Sequence, residues 1–117
     1  MKDRLGDIVR LNHILDAVLE IQNYTQNISF EEFWADSMRY NATIRQLEII
    51  GEAANKISNE LCSNNPEIPW KRLYGLRNVI VHEYFGIDDL MIWNVITINI
   101  KNLKPQIEKI IKEEQKK

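Results

Sequence analysis

Along most of this chain hydrophobic residues recur at three- and four-residue steps, the spacing that lines one face of an α-helix. Ile8, Leu11, Leu15, Val18 and Ile21 form the first such stripe, over about residues 4 to 25. The pattern restarts at "NISFEEFW", where Ser29 and Glu32 stand three apart as a capping box, each side chain placed to satisfy the other's free backbone N–H. In "SMRYNATIRQLEIIGEAANKISNEL" the stripe is Ile44, Leu47, Gly51, Ala54 and Ile57. Gly51 and the alanines beside it predict a close approach to another helix, because small side chains let two backbones pack tightly.

"CSNNPEIP" is the clearest interruption: polar turn formers and two prolines end one helix, and Pro69 stands near the first turn of the next. A further helix is expected from Trp70 to about Tyr84, ended by Gly86. Asp88 then suits the N-cap of "DLMIWNVITI". The closing amphipathic segment, "NLKPQIEKIIKEEQKK", holds Pro105, which fits either the first turn of a helix capped by Asn102 or a kink in a continuous one. The runs Val79–Val81 and Val95–Ile100 are β-branched, yet neither has a strand-like partner nearby. The pattern therefore predicts an all-α, up-and-down bundle of about five helices. One domain over residues 1–117 is expected, its lysine-rich end frayed.

Composition adds boundaries. Few glycines (4) and prolines (3) favour long elements. A net charge of −2 excludes a generally basic nucleic-acid binder, so a polyanion would need a local patch or a surface made by association. The single cysteine, Cys62, permits no internal disulfide and fits a reducing compartment. The N-terminus is too charged for a signal peptide, and no run approaches the ~20 apolar residues of a membrane span. A cytoplasmic protein without membrane contact is expected.

"LRNVIVHEYFG", residues 76–86, carries the candidate chemistry. On a helical wheel with Arg77 at zero, Leu73, Leu76, Val79 and Ile80 share a core face, while Asn78 and His82 lie at about 100° and 140°. Arg77, Asn78 and His82 are thus expected on an arc facing away from the core, with Asn78 able to touch His82. Read as ordinary surface chemistry, these are a solvated arginine and a four-apart pair. Read as a site, they combine a permanent cation that forks onto phosphate oxygens with an imidazole able to accept a proton near neutral pH.

Arg77–Asn78, the four residues between Arg77 and His82, and Tyr84 after one further residue resemble the Arg-x4-His-x-Tyr signature of HEPN ribonuclease toxins. "RQLEIIGEAANKIS" and "DLMIWNVITINIKNLKPQIEKII" are similar to the HepT-like branch, so the resemblance covers nearly the whole chain. It implies a toxin that cleaves RNA without metal or other cofactor, with Arg77 as phosphate clamp, His82 as general acid/base and Asn78 in support. It implies a homodimer whose cleft presents both residues twice. It also implies a partner, a minimal nucleotidyltransferase antitoxin of the MntA type, that forms a hetero-oligomer with the toxin and transfers AMP to Tyr84. The rival reading is a non-catalytic HEPN module that binds a nucleotide or that partner.

Other residues carry less. His13 is expected to be structural or exposed, and Cys62 inert. Glu48 and Glu52 are four apart but lack a histidine for a metal set, and Arg45 and Lys56 flank them at pairing distance. Trp34, Trp70 and Trp93 are expected in core or dimer packing rather than in a base-stacking platform. Lys71 and Arg72 either extend an RNA-binding patch or merely face water.

Overall fold

The computed structural model describes residues 4–83 and 86–117. Every regular element among them is helical: α1 (Arg4–Thr25), α2 (Phe30–Ala35), α3 (Ser37–Asn55), α4 (Asn59–Asn64), α5 (Trp70–His82), α6 (Asp89–Asn94) and α7 (Ile100–Gln115). The all-α bundle read from the sequence is the observed architecture. α3 is its centre, packed on α1 on one side and on α5 on the other, while α7 closes against α1.

The stripes do what their spacing predicts. Leu11, Val18 and Ile21 are buried, as are Ile44, Leu47, Gly51, Ala54 and Ile57. They meet Ile80, Ile92, Ile96 and Ile107 in one core. On α1 the seam is rotated slightly from the expected one, since Ile14 is fully buried while Ile8 and Leu15 lie at its edge. Asn27, with φ 58°, reverses the chain after α1, a left-handed position that asparagine tolerates. The capping box is present: Ser29 Oγ accepts from Glu32 N at 3.1 Å, and Ser29 N donates to Glu32 Oε1 at 2.9 Å.

Three boundaries differ from expectation. The third predicted helix breaks at Lys56, and Ser58 caps a separate α4. The cause is tertiary: buried Asp7 of α1 accepts from Ser58 N (2.8 Å) and from Ser58 Oγ (2.6 Å), and pins the chain at that point. α5 stops at His82, where Glu83 N turns back to Val79 O. Between α6 and α7 the backbone does not break; Val95–Asn99 forms a π turn that runs into α7. The β-branched run is therefore a widened helical turn, and Pro105 lies inside a continuous helix rather than at the first turn of one capped by Asn102. Among the described residues no helix is long and apolar enough to cross a membrane.

Candidate active site

α5 carries the candidate residues, and its position is set by one close contact. A Cβ placed on Gly51 of α3 would collide with Arg77 Cβ and would stand 2.7 Å from the carbonyl oxygen of Leu73. The glycine lets α5 lie directly on α3, and the stem of Arg77 occupies the space a side chain would need. This is the helix contact that the small residues predicted.

That contact turns Arg77 toward the α3 seam, and so corrects the expectation that it shares an outward arc with His82. Its side chain is only 26% exposed. Nη1 donates to Asn78 Oδ1 at 3.1 Å, and the guanidinium carbon stands 6.0 Å from the centre of the Tyr74 ring. Nε is buried and lies 3.5 Å from Glu52 Oε1. That is an ion-pair distance, but the alignment is not that of a hydrogen bond, so Nε–H remains an unspent donor. Glu52 therefore pairs across helices with Arg77 rather than with Lys56. Arg45 does take Glu48, at 3.7 Å.

Asn78 also has a different neighbour from the expected one. A guanidinium can only donate, so Asn78 must turn its carbonyl oxygen to Arg77 and keep its NH2 for another acceptor. Among the described residues no hydrogen bond joins it to His82. His82 is the last residue of α5, exposed and without a hydrogen-bonding partner among those residues. Helix geometry sets it about 7.5 Å along the axis from Arg77 and about 140° around it. One chain thus offers a held cation and an exposed imidazole on different sides of α5. Tyr84 lies outside the described residues.

The remaining candidates fall into place. No cluster of three or more His, Cys, Asp or Glu suited to a metal occurs among the described residues. His13 is exposed and Cys62 is half-buried. Trp93 packs edge-on to Phe30 at 5.8 Å and tilted on Phe33 at 5.5 Å. Trp70 donates its ring N–H to Asn65 O at 3.0 Å. Trp34 stands at the surface against Tyr40. Glu52 is the site neighbour that motif reading missed, whereas Tyr74, on the same arc of the wheel as Arg77, does stand against it. The signal for Glu52 was its place beside Gly51: a residue next to a close-approach glycine lies at the edge of the contact.

An all-helical bundle with Arg-x4-His at the end of a helix packed on the central one is that of the HEPN class. Within it, the family model described as "Ribonuclease HepT-like" matches residues 14–110, and the chain belongs to this HepT-like family. It is 39% identical over 102 residues to the "Probable ribonuclease HepT" of Thermococcus cleftensis, covering 87% of this chain and 93% of that one. It is 38% identical over 98 residues to "Putative RNase MJ1380" of Methanocaldococcus jannaschii, covering 84% and 90%. "Putative RNase TTE0752" of Caldanaerobacter subterraneus is 36% identical over 105 residues, covering 90% and 94%. No solved structure gives a significant match.

Proposed function

We propose that this protein is a toxin that cleaves RNA without a metal ion, as a homodimer with two copies of Arg77 and His82 in one cleft. The observation that carries the reading is the guanidinium of Arg77, held by Asn78 and Glu52, on the same helix as an exposed His82 in a HepT-like chain. In the reaction, an imidazole takes the proton of a ribose 2′-OH and that oxygen attacks the adjacent phosphorus. Arg77 holds the equatorial oxygens as charge builds on them. The P–O5′ bond breaks, a second imidazole protonates the leaving oxygen, and a 2′,3′-cyclic phosphate remains.

The reaction needs a base and an acid, and each chain contributes one histidine on this helix. A twofold axis supplies the second. Control would come from a nucleotidyltransferase antitoxin that joins AMP to Tyr84. The added phosphate would repel RNA from Arg77 and crowd the site.

The test is incubation of purified protein with RNA in EDTA, with the ends of the products identified. Cyclic phosphate ends from the wild type, and none from His82→Ala, are expected. Equal cleavage by His82→Ala would remove the histidine from the mechanism. Harmless overexpression together with no cleavage would favour the non-catalytic binding module.

A further inference from the structure

Between α4 and the start of α5 lies a cavity of about 640 Å³, within the range of small-ligand sites. Its wall includes Asn59, Ser63, Trp70, Lys71, Arg72 and Tyr74, and among the described residues no carboxylate lines it. That is notable in a chain with 17 acidic and 15 basic residues. Two cations, two aromatic rings and small polar groups around one hollow are the elements that hold a nucleotide: stacking for the base, charge for the phosphate. Trp70 is already fixed by its bond to Asn65 O, so a base meeting it would order little further.

The cavity adjoins the candidate active site. Tyr74 lines it and also stands against the Arg77 guanidinium. Trp70, Tyr74 and Arg77 follow one face of α5, and Arg77 is about 10 Å further along the axis than Trp70. That interval is short enough for one nucleotide to bridge.

We propose that this cavity is a base-binding subsite for the nucleotide of single-stranded RNA next to the phosphate held by Arg77. Lys71 and Arg72 grip the flanking phosphates, and Tyr74 and Trp70 flank the base. This rests on the ribonuclease reading for its phosphate, but it reads binding rather than turnover. A duplex does not fit, because its bases are stacked and paired and cannot enter the hollow.

The test uses the 117-residue chain in a His82→Ala background, so that RNA is not consumed, with a short labelled single-stranded RNA followed by fluorescence anisotropy. Lys71→Glu combined with Arg72→Glu is expected to weaken binding at least tenfold and to flatten the salt dependence. Both side chains are exposed, so folding is not at issue. Tyr74→Leu is expected to reduce the preference for a base-bearing strand over an abasic one of equal length. Affinity and salt dependence unchanged by the double reversal would overturn the subsite, as would AMP competing as well as the strand. Cleavage by the otherwise wild-type chain separates the two readings. Unaltered KM in the double variant removes the subsite and leaves the nuclease. Binding that depends on Lys71 and Arg72 in a chain that never cleaves RNA keeps the subsite and removes the nuclease.

Discussion

The side chain that Gly51 lacks is replaced by that of Arg77: the arginine's stem fills the space above the glycine where α5 crosses α3. A packing contact and a chemical group are thereby joined, since whatever moves α5 on α3 also moves the guanidinium.

Gly51→Ala tests the join. Alanine favours a helix over glycine by roughly 0.5–1 kcal/mol, but overpacking costs roughly 1–3 kcal/mol. One of the atoms it meets is the backbone oxygen of Leu73, which cannot rotate away. The clash should win. A lower urea midpoint together with reduced RNA cleavage is expected; a raised midpoint with full cleavage would show that the helices part at no cost.

Arg77→Lys keeps the stem over Gly51 but replaces a forked donor with a point charge. The fold should persist by circular dichroism. Cleavage should fall by about 100-fold or more, the usual cost of losing one transition-state donor. Wild-type rates in the variant would mean that charge alone is enough.

Glu52→Gln removes a negative charge close to the proposed phosphate position and loosens the hold on Arg77. The pair is partly exposed, at 26% and 41% of the two side chains, so stability should change by less than about 1 kcal/mol. RNA should bind more tightly at low salt yet be cleaved more slowly. If affinity and rate fall together, the carboxylate does more than anchor the arginine.

Asp7→Ala leaves Ser58 N–H and Oγ–H without their acceptor at the start of α4. A loss of roughly 1–3 kcal/mol is expected from denaturant titration, as for other unsatisfied buried groups. The α4 side of the nucleotide cavity should loosen with it, seen as faster amide exchange at residues 58–62.

Acid should weaken the cap of α2. Hydrogen bonds from the Ser29 backbone and side chain, then the charge of Arg39, hold the Glu32 carboxyl below its ordinary 4.5. Because the folded value is the lower one, the contribution is complete above 4.5 and is lost as pH falls through the depressed value. Glu32→Gln should remove this part of the acid sensitivity, measured by helix signal against pH. A Gln variant with an unchanged profile would assign the acid loss elsewhere.

Much of this molecule is legible in one dimension. The three- and four-residue spacing marked the helices, Ser29 with Glu32 and Asp88 marked their starts, and Gly51 marked the tight crossing. Each is a local signal, because helical periodicity and capping depend on residues within a few positions of one another. The motif on α5 was legible too, as a family signature. Its geometry was not, because a wheel drawn for one helix contains no α3. The wheel sent Arg77 outward; the neighbouring helix drew it into the seam beside Glu52 and committed Asn78 to it.

The sequence by itself determined most of the helices, the caps at Ser29 and Asp88 and the identity of the reactive groups, since these follow from local backbone preference and side-chain chemistry. The tertiary structure decided which groups meet. It paired Glu52 with Arg77, broke the chain at Ser58 through Asp7, widened the turn at Val95–Asn99 and opened a hollow between α4 and α5. Contacts between residues far apart in the chain arise only when helix faces dock. Docking is settled by the packing of the whole core, which no single stretch encodes.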